Sequence, residues 1–142
     1  MSSATYPSEL ILDAWPILEW LKGREPARSA FHRIAEDALA GRVSLSMSRI
    51  NHGEVIYPIR KDFPANKVAA ALSAFGEIPI QLYSVDDALI DEAVELKSAY
   101  PISYADAFGV ALSTRLKRPF VSGDPELRRI SILEFHLQWV GK

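Results

Sequence analysis

The sequence contains no cysteine. Disulfides, cysteine-based zinc sites and thiol nucleophiles are thereby excluded, although the absence says little about compartment. Basic charge is not in excess either: 16 lysines and arginines stand against 18 aspartates and glutamates, a formal net charge of −2. A protein that coats nucleic acid over a wide surface needs a basic surplus, so that class is disfavoured, whereas an enzyme that grips a short stretch of RNA is not. No apolar run reaches the length of a membrane span, and the opening "MSSATYPSELILD" has neither a basic n-region nor a long apolar h-region. A cytoplasmic protein without a membrane partner is the expectation. G-x-G-x-x-G, the P-loop and G-x-S-x-G are also missing, which leaves dinucleotide, NTP and serine-hydrolase chemistry without an anchor.

What is present is an alternation. With 142 residues, 49% of them apolar and 24% charged, the chain reads as a single domain, 1–142, with a core over about 9–135. "ELILD" (9–13) is a continuous apolar run, as expected of a strand covered on both faces, and a short helix follows through Trp20. Pro26 suits the first position of a helix in which Phe31, Ile34, Ala35, Ala38 and Leu39 form one stripe before Gly41 stops it. "VSLSM" (43–47) alternates like a strand, and Ser48 caps a helix carrying Ile50, Glu54 and Tyr57 toward Pro58. Pro64 opens a helix with Val68, Ala71, Leu72 and Phe75 on one face. "IPIQL" (78–82), helices over about 85–99 and 104–117, "RPFVSGD" (118–124) and "ISILEF" (130–135) complete the pattern. Strands alternating with helices imply an α/β fold with a mainly parallel sheet, whose ligands gather at the carboxyl ends of the strands.

Acidic residues stand at those ends. Asp13 closes the first strand and Asp124 follows the fourth. Glu54 lies one turn from Ile50 on one side and from Tyr57 and Pro58 on the other, so it points into an apolar face, where a carboxylate needs a cation, a donor or a raised pKa. Asp106 follows Ser103 at the spacing of a capping box, with Gly109 and Ser113 continuing its stripe and permitting close approach of another element. Each acid alone reads more simply as a turn, cap or ion-pair residue, and Ser84 and Asp87 repeat the cap spacing as an internal control. Four acids converging from distant segments would repel one another unless a divalent cation joined them, and hard oxygen donors suit Mg²⁺ or Mn²⁺.

Asp13 after "LIL", Glu54 in "RINHGEVIY", Asp106 in "SYADAFGVALS" and Asp124 in "FVSGD" together resemble the PIN-domain ribonucleases, especially the VapC toxins of toxin–antitoxin pairs. The resemblance runs from about residue 9 to about 135. It implies a five-stranded, mainly parallel sheet flanked by helices and an acidic pocket of Asp13, Glu54, Asp106 and Asp124 binding Mg²⁺ or Mn²⁺. Ser122 would match the hydroxyl residue two before the last acid, and Glu126 would stand in for a further acid. Ala14 departs from the pattern, since many relatives have a hydroxyl residue there. The implied activity is metal-dependent hydrolysis of RNA, such as a tRNA or ribosomal RNA loop, leaving 5′-phosphate and 3′-hydroxyl ends. The implied partners are a small antitoxin and a second copy in a homodimer.

Other readings stay in view. A receiver-like phosphoacceptor domain would also be α/β with acids, and Asp86 or Asp87 could accept the phosphoryl group, but the paired acids such a domain needs after the first strand are lacking. A non-enzymatic PIN-like binding domain is the other alternative. His52 and Glu54 spell the H-x-E of zinc deaminases without their paired cysteines. His32 and His136 read as surface or strand-end residues, and the tryptophans sit at core spacing. Arg24, Arg28, Arg49, Arg60 and Lys61 are possible phosphate contacts that read more simply as solvated charges.

Overall fold

The computed structural model describes residues 6–132 and 134–142. Five strands form one sheet in the order β3-β2-β1-β4-β5, with every neighbouring pair parallel. They are β1 (Glu9–Leu12), β2 (Ser44–Ser48), β3 (Ile80–Tyr83), β4 (Phe120–Ser122) and β5 (Leu137–Trp139). The helices are α1 (Ala14–Lys22), α2 (Ala27–Leu39), α3 (Arg49–Asp62), α4 (Ala65–Gly76), α5 (Asp87–Ala99) and α6 (Tyr104–Leu116).

The continuous apolar run of β1 is explained by its central place. Leu10 and Leu12 face one core with Ile17, Phe31, Val55, Ile59 and Phe75, while Ile11 faces the other with Leu89, Val110, Leu112 and Phe120. Helices α1–α4 therefore cover one face and α5–α6 the other. A strand read by both cores has no polar side, as parallel sheets require. The chain builds outward from β1 through β2 to β3, then returns to the other side of β1 with β4. Strand order reverses between β1 and β4, which is where such folds form a crevice.

Helix α6 settles tightly on the sheet because it carries glycine where it crosses. A Cβ on Gly109 would stand 2.6 Å from Cε1 of Phe120 and 3.1 Å from Oδ1 of Asn51. Phe120 is fully buried and cannot swing aside. Gly109→Ala is therefore expected to destabilise by about 1–3 kcal/mol, the usual cost of overpacking, despite the helix propensity alanine adds. A melting temperature equal to or above wild type would show that α6 has slack here.

Several elements differ from their sequence expectations. The final strand is Leu137–Trp139 rather than 130–135. Ile130 instead ends a 3-10 turn (Pro125–Arg129), donating its N–H to Leu127, and Phe135 closes a turn onto Ile132. Both side chains are buried in the α5–α6 core, so their apolarity serves packing without sheet pairing. Leu39, placed in the buried stripe of α2, is 63% exposed, because the helix stops at it and Gly41 turns the chain away with φ 76°. Pro26 precedes α2 as its cap position rather than opening it. Ser84 does not cap α5; Asp86 does, accepting from the Leu89 N–H at 2.7 Å.

Candidate active site

At the carboxyl ends of β1 and β4 lies a cleft of about 340 Å³, lined by Asp13, Glu54, Asp106, Asp124 and Glu126, with Asn51, Tyr57, Trp15 and Leu18 among its other walls. Among the described residues no lysine, arginine or histidine lines it. Each acid arrives on a different element. Asp13 leaves β1 as the cap of α1, Glu54 projects from α3, Asp106 sits in the first turn of α6, and Asp124 caps the turn after β4.

Asp13 is held on both oxygens. The Ala14 N–H donates to Oδ1 at 2.8 Å and the Ser122 hydroxyl to Oδ2 at 2.6 Å. The same Ser122 oxygen accepts the Asp124 N–H at 3.1 Å, and Asp124 Oδ1 accepts the Glu126 N–H at 3.0 Å. A buried hydroxyl thus links the ends of β1 and β4. The cap spacing of Ser103 and Asp106 is realised as well, with the Asp106 N–H donating to Ser103 Oγ at 3.1 Å. Capping does not exhaust the residue, however: Asp106 is only 9% exposed and its carboxyl faces Asp13 and Asp124. The control, Asp87, is exposed on α5 away from the cleft.

Electrostatics separate this group from the other buried acid. Asp37 is held below the usual carboxylate range by the Tyr6 hydroxyl and by Arg42, whose Nε lies 2.8 Å from Oδ1. Among the described residues Asp13 and Asp106 have no such cation. Burial pushes Asp13 up to about 6 against its hydrogen bonds from Ser122 and Ala14, with the Asp124 charge adding to the rise. Burial, then the charge of Asp13 and the contact with Asp124, push Asp106 up to about 8. At neutral pH the cluster therefore favours a proton or another cation.

The donor set fits a divalent ion. It is all oxygen, it is anionic beyond what neighbouring cations among the described residues offset, and burial followed by the charge of neighbouring acids raises two of its members above the usual carboxylate range. Among the described residues no three acidic or histidine side chains are placed to ligate one ion together. Such an ion would then bind one or two carboxylates directly and keep several waters, the habit of Mg²⁺.

Residues 10–133 match the sequence profile of the PIN domain. The chain belongs to the PIN-domain family. No curated protein matches it in sequence, but solved structures share its fold. A chain of VapBC2 from Rickettsia felis, bound to a DNA fragment from its promoter, superposes with a TM-score of 0.68 at 14% identity, over 92% of this chain and 97% of that one. VapC20 of Mycobacterium tuberculosis, a sarcin–ricin-loop cleaving toxin, gives 0.67 at 15% identity over 88% and 97%. DNA-bound VapBC of Salmonella typhimurium gives 0.65 at 15% over 93% and 98%. The five-stranded parallel sheet and flanking helices are those of this PIN fold.

Asn51 was not legible as a site residue. It is buried, accepts from the Ser48 hydroxyl at 2.6 Å, and donates from Nδ2 to the Ala105 carbonyl at 3.0 Å. This clamp ties α3, three residues before Glu54, to the first turn of α6, which carries Asp106. Its sequence signal was only a polar residue three after a capping serine. Asp86, the phosphoacceptor of the receiver-like reading, is instead a cap paired with Arg115 at 3.2 Å, and neither it nor Asp87 lines the cleft. Arg24 and Arg28 are occupied by Glu19 and Glu25. Among the described residues no helix is long and apolar enough to cross a membrane.

Proposed function

We propose that this chain is a Mg²⁺- or Mn²⁺-dependent endoribonuclease, the toxin of a toxin–antitoxin pair. The observation that carries the reading is a cleft of five carboxylates with no basic side chain among the described residues that line it, at the switch point of a PIN fold. Asp13, Asp106 and Asp124 would surround the ion, one or two of them binding it directly and the others through its waters, with Glu54 contributing from the α3 wall. When bound, the ion lowers the pKa of a water and offsets charge on the phosphoryl oxygens of the substrate. The chain's own groups prepare the site: Ser122 fixes the Asp13 carboxylate, Asn51 fixes the relative position of α3 and α6, and the apolar wall of Trp15, Leu18 and Pro58 limits water beside the acids.

The same charge defines a partner. Excess carboxylate in a confined cleft suits the planar fork of an arginine, so a small antitoxin inserting arginine would block RNA and cation together. The VapBC assemblies among the structural neighbours support this pairing. A homodimer belongs to the same reading, with exposed Ile90 and Val94, one turn apart on α5, available for burial.

Purified protein incubated with tRNA and ribosomal RNA should cleave with Mg²⁺ or Mn²⁺ and stop on chelation. Glu54→Gln, nearly isosteric but uncharged, should lower cleavage at least about tenfold with the fold retained. Wild-type cleavage by that variant would remove Glu54 from the site. No cleavage by the parent chain with either ion would favour a non-enzymatic binding domain.

A further inference from the structure

A second hollow of about 290 Å³ adjoins the acidic cleft and has a different character. Trp15 lines both. Beyond it the hollow is walled by Gly123, Pro125, Arg128, Trp139 and Lys142. The Arg128 guanidinium lies 3.6 Å from the centre of the Trp139 ring. The Trp139 indole N–H donates to the Lys142 carbonyl at 3.1 Å. Glu19 and Glu25 also line the hollow, but Arg24 and Arg28 pair with them at 3.5 and 3.7 Å. Among the described residues neither Arg128 nor Lys142 has a carboxylate within 4.0 Å. Its uncommitted charge is therefore positive.

The indoles are seated by backbone that has no room for a side chain. A Cβ on Gly123 would stand 2.6 Å from Cη2 of Trp15 and 2.9 Å from Cα of Gly141, and one on Gly141 would stand 2.9 Å from Cζ2 of Trp139. Gly123 immediately precedes Asp124, so the aromatic wall and the acidic cleft are built from one continuous segment. Tryptophan at core spacing reads as packing, yet Trp15 and Trp139 are only partly buried and offer aromatic surface beside cations that no carboxylate offsets, with Arg128 resting on one face of Trp139.

We propose that this hollow receives an unpaired nucleotide next to the phosphate held in the acidic cleft, with its base against the indoles and its own phosphate on Arg128 and Lys142. The inference rests on the reading of the acidic cleft as an RNA-cleaving site. Aromatic faces accept any base that is not already stacked, and cations take the backbone. A base within a duplex presents no free face, so the hollow selects single-stranded RNA.

The test uses the full chain carrying Glu54→Gln, with Mn²⁺ present, so that RNA is consumed at least about tenfold more slowly while binding is read. A short unpaired oligoribonucleotide should quench tryptophan fluorescence, and the same sequence in a duplex should not. Adding Trp139→Leu or Arg128→Gln should weaken binding by about tenfold, within the range for loss of one stacking or phosphate contact. In the otherwise wild-type chain each change should raise KM for cleavage by a similar factor and leave kcat unchanged. Arg128 is exposed, so Arg128→Gln carries the test even if Trp139→Leu does not fold. Wild-type affinity and KM in Arg128→Gln, or equal quenching by duplex, overturns the proposal. Loss of protein-partner binding with RNA affinity unchanged also overturns it, in favour of a protein-docking surface. Quenching that Arg128→Gln weakens, in a parent chain that never cleaves, supports the hollow as an RNA site while the nuclease reading falls.

Discussion

Asp106→Asn should melt at the same temperature as wild type or higher when divalent ions are chelated, yet lose stabilisation by Mn²⁺ and nearly all RNA cleavage. In the folded chain Asp106 is buried beside Asp13 and Asp124, with no basic neighbour among the described residues. Removing its charge relieves repulsion. The change sacrifices a favourable interaction with the α6 dipole, about 0.3–1 kcal/mol, but keeps the Ser103 cap. Asp87→Asn supplies the control. It loses only a dipole interaction, since Asp86 is the cap of α5, and should melt slightly lower with its metal response intact. Cleavage by Asp106→Asn should fall at least about a hundredfold, because even residues that merely support a metal ligand contribute 10–100-fold. Melting curves with and without Mn²⁺, alongside a cleavage assay, decide the matter. If the two variants behave alike, Asp106 is a cap and nothing more.

The wild-type chain in chelator should become less stable as pH rises from about 6.5 to about 8. Burial and neighbouring charge raise Asp106 in the folded state to about 8 from the ordinary carboxylate value of 3.8, and Asp13 to about 6. Across that window the folded chain holds protons that the unfolded chain has released, so unfolding free energy falls with pH. The penalty is absent below the ordinary carboxylate range and complete above about 8. His52 acts in the opposite direction, since burial and Arg49 lower it from 6.5. Its effect ends near 6.5, which leaves the upper part of the range to Asp106. Tyr6 is raised by burial and by Asp37, and weighs only in strong alkali. Saturating Mn²⁺ or Asp106→Asn should each flatten the decline. A melting temperature that stays level or rises between pH 6.5 and 8 in chelated wild-type protein would contradict the unoffset charge in the cleft.

Both expectations depend on contacts between elements, and the sequence disclosed those unevenly. The unbroken apolar run at 10–12 announced a strand covered on both faces, and β1 is that strand. Gly109 and Ser113 announced a helix that something approaches closely, and Phe120 and Asn51 do so at Gly109. Periodicity could not tell a strand from apolar residues that pack out of loops, so 130–135 reads as sheet although only Leu137–Trp139 pairs with β4. Two serine–aspartate spacings look alike on paper, but only Ser103 caps, because Asp86 lies nearer the start of α5 and bonds the Leu89 N–H instead. Four acids at strand and helix ends could be named from the sequence. The Ser122 bridge, the Asn51 clamp and the placement of Arg128 over Trp139 depend on long-range packing that no local pattern encodes.

The strand order also carries a timetable. Asp13 emerges early from the ribosome, but its Ser122 partner lies 109 residues further along, and β4 must dock against β1 before Asp124 reaches the cleft. Long-range parallel pairing of this kind forms late and slowly. A growing chain can lay β1, β2 and β3 side by side while its cleft still lacks a wall. Under the proposed nuclease reading, the delay would separate synthesis from activity, since the cleft lacks its Asp124 wall until almost all of the described domain has been made.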